Sequence, residues 1–186
     1  NVQWQIDIPK IYPVKRKNRL VAILSQKNYD EGHIKRTNFL KELDKRGLDL
    51  VDIFGKENFF NLKNYKGKTE KKQEMMEYKY YFSAENNAEY NYATEKIWEP
   101  IICEMLCFYW GCPNLEEYID SRAFVRLDLD DIEGSIAIIN KAIDEDWWSQ
   151  RIEVIRKEKE KIINNLGFFP TLEKIIKNDF SQHLKK

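Results

Sequence analysis

Tyr78-Lys79-Tyr80-Tyr81-Phe82-Ser83-Ala84-Glu85-Asn86-Asn87-Ala88-Glu89-Tyr90-Asn91-Tyr92-Ala93-Thr94-Glu95-Lys96 passes from an apolar, aromatic run through a polar turn into the first turn of a helix. Such a strand-to-helix junction is a seat for a phosphorylated ligand, because a helix N-terminus presents unpaired backbone N–H groups and a partial positive charge. Lys96 adds a full charge, and Glu95 and Asn86 can hydrogen-bond a sugar hydroxyl. A cation in the first turn of a helix is unfavourable unless an anion sits there, so Lys96 points most sharply to an anionic ligand. The stretch reads as a nucleotide site.

Outward from this junction the chain alternates strand and helix. Leu20 to Leu24 is an all-apolar run typical of a strand buried on both faces. A polar loop follows, then a helix over about 33–46 with Phe39, Leu40 and Leu43 on one side and Gly47 as its stop. Residues 48–54 and 78–83 read as strands, and a helix runs from Tyr92 or Ala93 to Leu106. Residues 107–110 and 123–127 are further strands, separated by a short helix over 115–119 that Asn114 can cap. Ile132, Ile136, Ile139 and Ile143 mark a helical face, Trp147 to Asn164 a charged helix ended by Gly167, and Thr171 to Phe180 a last one. The alternation predicts an α/β fold with a right-handed, Rossmann-like parallel sheet flanked by helices and a helical C-terminal tail. Lys66-Gly67-Lys68-Thr69 is not a phosphate loop, since Leu62 stands where the second glycine is needed and no apolar strand precedes it. Residues 56–77 are expected to be a surface loop leading into a short helix.

With 186 residues and 42% hydrophobic content, the chain suffices for one compact domain with a real core. The organisation expected is a lead-in over 1–19, a nucleotide-binding domain over 20–146, and C-terminal helices over 147–186 packed on it. The 31 basic residues balance 31 acidic ones, which argues against nucleic acid or an anionic membrane surface as partner. The basic run Lys15, Arg16, Lys17, Arg19 reads as a solvated linker. Cys103, Cys107 and Cys112 make neither a disulfide framework nor a zinc set, with His33 and His183 remote in sequence; Cys103 and Cys107, at helical spacing, read as small apolar packing groups. No run of about 18 uncharged apolar residues is present, so no membrane span is expected. The chain begins with Asn1 and is expected to be a piece of a longer protein.

The motifs carry a resemblance. Residues 78–86, then Tyr92-Ala93-Thr94-Glu95-Lys96-Ile97, then Phe108-Tyr109-Trp110-Gly111, then Phe124-Val125 resemble, in order and spacing, the donor-binding half of the α-1,3-fucosyltransferase family. That family has a strand ending in Phe-Glu-Asn, a Tyr-Val-Thr-Glu-Lys motif, a helix, a Pro-Val-x-x-Gly strand end and a Phe-Ile strand. Upstream, the strand ending at Ser25, Arg36 after a polar loop, and Phe54-Gly55 fall where the family would place them, so the resemblance covers about residues 19–145. Ala84 stands for the frequent Phe, Ala93 for Val, and Phe108-Tyr109-Trp110 for the Pro-Val start; these are packing positions.

The resemblance implies one lobe of a GT-B glycosyltransferase, the C-terminal one, binding GDP-fucose beyond the carboxyl ends of its strands. By motif, Lys96 and Arg36 would neutralise the leaving diphosphate, Glu95 would accept hydrogen bonds from the ribose hydroxyls, and Tyr92 and Asn86 would complete the donor pocket. Asp128, Asp130 and Asp131 follow a strand and precede a helix, where Asp130 or Asp131 caps well. They are read as capping groups and not as a metal motif, and no metal or cofactor beyond the donor is expected. The partners implied are a nucleotide sugar and a glycan or glycoprotein acceptor, with fucose transferred with inversion. The general base is a carboxylate of the N-terminal acceptor lobe in that family, which residues 1–19 cannot form, so no catalytic residue is assigned here. Alternatives are a domain using another nucleotide sugar and a non-catalytic nucleotide-binding or interaction module. The compartment would be cytoplasmic for a bacterial or viral source and the Golgi lumen for a eukaryotic one with its anchor removed.

Overall fold

A computed structural model of the chain describes residues 15–46, 50–69 and 76–166, together with Ile176. Six strands form one sheet: β1 (Lys17–Ile23), β2 (Val51–Phe54), β3 (Tyr65–Gly67), β4 (Tyr78–Ala84), β5 (Leu106–Trp110) and β6 (Phe124–Arg126). Their spatial order is β3-β2-β1-β4-β5-β6 and every pairing is parallel. The chain thus builds outward from β1 in one direction and from β4 in the other, and the order reverses between those two strands. In open parallel sheets that reversal opens a crevice beyond the carboxyl ends of the strands, where ligands bind.

The helices are α1 (Glu31–Lys45), α2 (Glu95–Ile102), α3 (Ile132–Asp144) and α4 (Trp147–Lys161), the last running into a π-helical turn over Ile162–Leu166. Leu20 and Ala22 of β1, Phe82 of β4 and Phe108 of β5 are buried in the main core with Phe39 and Leu43 of α1 and Ile97 and Ile101 of α2. Val21 instead joins a smaller cluster with Tyr78 and Met105, as the two-residue period of a strand requires. Ile139 of α3, Ile155 of α4 and Ile162 complete the main core.

Several sequence expectations change. The segment read as a surface loop contains β3, which pairs with β2 at the sheet edge; three residues with no buried side chain leave no apolar run to recognise. The basic run is not a solvated linker. β1 starts at Lys17, Arg16 donates to the carbonyls of Cys103 and Glu104 at 2.9 Å each, Lys17 pairs with Glu77 and Arg19 with Asp52. Helix α2 stops at Ile102 and not at Leu106, because Glu104 takes a left-handed φ of 57° and Leu106 opens β5. Cys103 therefore caps α2 while Cys107 lies in β5, so the two do not share a helix, although both are buried. The expected short helix after Asn114 is a single 3-10 turn, Leu115–Glu117, without a side-chain cap. Asp131 does cap α3, accepting from the Gly134 N–H at 2.9 Å; Asp130 is bonded by Lys35, and Asp128 accepts from the Asp130 N–H. The expectations for Gly47, Gly167, residues 1–14 and the helix over 171–180 lie outside the described residues.

Candidate functional site

At the reversal between β1 and β4 lies a cleft of about 390 Å³. One wall comes from the first half of the sheet: Ile23 at the end of β1, Ser25 and Lys27 after it, then His33 and Arg36 from the start of α1. The other comes from the second half: Tyr81, Phe82 and Ser83 of β4, Asn86 just after it, and Glu95, Lys96, Glu99 and Pro100 of α2. Both helices begin at the cleft, so two N-terminal partial positive charges converge on it. The overall charge is zero, yet Lys27, Arg36 and Lys96 face the cavity against Glu95 and Glu99.

The two walls are joined by backbone. The Gly32 N–H donates to the Asn86 carbonyl at 2.8 Å, and a Cβ on Gly32 would stand 1.7 Å from the Glu85 carbonyl oxygen. No side chain fits there, which fixes how closely α1 approaches the end of β4. Gly32→Ala is expected to cost about 2–3 kcal/mol and to lower Tm by about 5–10 °C. Thermal unfolding would check this, and an unchanged Tm would mean that the 85–86 backbone gives way freely.

Behind the cleft, Glu85 is wholly buried and organises the start of α2. Its carboxylate accepts from the Thr94 backbone N–H at 2.9 Å, the Thr94 hydroxyl at 2.6 Å and the Tyr109 hydroxyl at 3.2 Å. The Lys96 ammonium lies 3.6 Å away and is bonded to Glu95 at 2.9 Å. Two carboxylates thus supply the anion that a cation at this helix start demands. Gly111, at a φ of 149°, makes room, since a Cβ there would fall 2.5 Å from Cγ of Glu85. Thr94 caps α2 through its side chain and the Lys96 N–H.

Arg36 is different. It is 7% exposed, Nη1 donates to the Ala84 carbonyl at 2.9 Å, and Nε is buried with no partner. Among the described residues no carboxylate pairs with it, and burial pushes the guanidinium below its ordinary value, with Tyr81 and Glu85 opposing. Burial also raises the Glu95 carboxyl, but the hydrogen bond and charge of Lys96 more than offset this and leave it below the usual carboxylate range. Glu95 is therefore an ionised acceptor at neutral pH.

The structure brings Arg36, Asn86, Glu95 and Lys96 to one cleft. Tyr92 is not in its lining; it is half-buried in the preceding loop, its N–H donating to the Glu89 carbonyl. Sequence reasoning passed over Glu85, quoted only as part of a motif, and over His33, Ser25 and Lys27. The available signal for the last three was their place in the loop and first helical turn after β1, which face a reversal point once the sheet order is known.

Order of strands, cleft position and converging helices define a Rossmann-like lobe of the kind found in GT-B glycosyltransferases. The chain belongs to glycosyltransferase family 10 (fucosyltransferase), whose C-terminal-domain model matches residues 14–146. Among solved structures, an α1,3-fucosyltransferase with GDP is similar at a TM-score of 0.59 and 20% identity, covering 82% of this chain and 44% of that one. TarM is similar at 0.63 and 16% identity, covering 89% and 36%. A glycosyltransferase from Rickettsia africae is similar at 0.56 and 13% identity, covering 95% and 50%. At these identities the likeness is one of fold, and the chain spans half or less of the length of these structures. Compared with curated proteins by sequence, it matches none.

Proposed function

We propose that this chain is the donor-binding lobe of a fucosyltransferase, holding GDP-fucose in the cleft between β1 and β4 for inverting transfer to a glycan hydroxyl. The observation that carries the reading is Arg36: a buried guanidinium without a carboxylate, at the start of one helix and facing the start of another. Burying a cation that has no ion-paired carboxylate is costly, and an anionic ligand offsets that cost. A diphosphate between the two helix starts accepts from Arg36 and from Lys96, which Glu85 and Glu95 hold in place. Glu95, ionised, accepts from the ribose hydroxyls, and Asn86 orients the donor from the loop after β4. Tyr92 completes the pocket only if its loop turns inward.

Inverting transfer needs a base on the acceptor hydroxyl and stabilisation of the charge that grows on the departing diphosphate. The cleft supplies the second, and Arg36 is effective there because its surroundings exclude water. The base belongs to an acceptor lobe that these residues do not form, so the chain alone is expected to bind GDP but to transfer slowly or not at all.

A second donor class has one observation behind it, since the same fold occurs in a TarM structure that contains UDP. Calorimetric titration separates the two. GDP is expected to bind at least about tenfold more tightly than UDP or dTDP, a difference of about 1.4 kcal/mol. Equal affinities would remove the fucosyl reading and leave a nucleotide-sugar site of unassigned base.

A further inference from the structure

Arg36 Nε is not the only buried polar atom in the cleft wall without a hydrogen-bond partner. His33, one turn earlier on α1, is 3% exposed and lines the same cavity, and its Nδ1 has no hydrogen-bond partner. Asp30 Oδ2 lies 3.3 Å from that nitrogen but out of hydrogen-bond alignment, and the ring packs against Tyr29 with centroids 5.1 Å apart. Buried polar atoms in folded proteins are nearly always satisfied, and here an arginine and a histidine in one cavity wall each leave a buried nitrogen without a hydrogen bond, a deficit that an anionic ligand bound between them would offset. We propose that His33 is a donor-binding residue whose imidazole takes a proton from solvent as the diphosphate enters, adding a second cation beside Arg36.

This rests on the nucleotide reading given above. The charged groups around the ring are Lys27 and Asp30 in the loop after β1, Arg36 on its own helix, and Lys96 from α2. Burial lowers the imidazole below its ordinary value, Arg36 lowers it further, Asp30 opposes, and Lys27 and Lys96 add to the depression. The sign follows. With the folded value below the unfolded one of about 6.5, the empty protein loses stability as pH falls through that value. A bound dianion reverses the balance, so binding takes up a proton and tightens as pH falls.

The test is GDP titration of the whole chain between pH 6 and 8, in buffers of different ionisation enthalpy, with wild type and His33→Gln compared so that protonation of GDP itself cancels. Wild type should gain about three- to tenfold more affinity than His33→Gln on going from pH 8 to pH 6. Proton NMR of the two imidazoles, His33 and His183, gives a readout without a variant: saturating GDP or inorganic pyrophosphate should move one titration upward by about one pH unit or more. Parallel pH profiles and an unmoved imidazole would overturn the proposal while leaving the nucleotide site intact. Absence of GDP and pyrophosphate binding in wild type would overturn both.

Discussion

Arg36→Met should weaken GDP binding by about 100-fold, the loss of two charge-assisted hydrogen bonds of about 1.5 kcal/mol each. The same substitution should leave Tm within about 2 °C of wild type, because the chain gains by losing an unpaired buried charge roughly what it loses at the Ala84 carbonyl. The methionine keeps most of the apolar stem of the arginine. The contrast between the two readouts is the point. An arginine kept for structure destabilises when replaced, whereas one kept for an anion loses the anion and little else. Unchanged GDP affinity in a well-folded Arg36→Met protein would take away the main support for the diphosphate site.

Glu85→Ala is expected to be the most destabilising single change near the cleft. Its carboxylate is wholly buried and receives three hydrogen bonds, so alanine strands the Thr94 N–H and the Tyr109 hydroxyl and removes one of the two carboxylates beside Lys96. Breaking a buried charged network from one side costs about 3–5 kcal/mol, which corresponds to a Tm about 10 °C lower. Urea unfolding would measure it. GDP binding should fall as well, since the start of α2 and the position of Lys96 depend on this carboxylate. A variant that unfolds at the wild-type denaturant midpoint would show that Thr94 alone holds the helix start.

The sequence was most legible where residue type and backbone state agree. Leu20 to Leu24, Tyr78 to Ser83 and the isoleucine series on α3 are apolar patterns that only a buried element explains, and the parallel α/β class follows from their alternation. β3 was not legible because Tyr65-Lys66-Gly67 owes its strand state to the neighbouring edge of β2 and not to its own composition. The end of α2 was misread because Ile101 to Met105 is equally apolar as helix or turn, and the decisive feature is the left-handed backbone at Glu104. Arg36, Asn86, Glu95 and Lys96, singled out from the strand-to-helix junction and the family motifs, line one cleft, and Tyr92 does not. The reason first given for Lys96, that a cation at a helix start calls for an anionic ligand, does not carry over, because Glu85 and Glu95 supply the anion from within the chain. Glu85 escaped notice because a carboxylate at the end of a strand is ordinarily assumed to face water.

The bond from Gly32 to Asn86 joins residues on opposite sides of the seam where the sheet changes direction. Both sides of that seam share one core, and neither owns the cavity. Residues 15–69 bring Arg36 and His33; residues 76–166 bring Asn86, Glu95 and Lys96. The cavity is thus a property of the junction, and neither set of residues lines it alone.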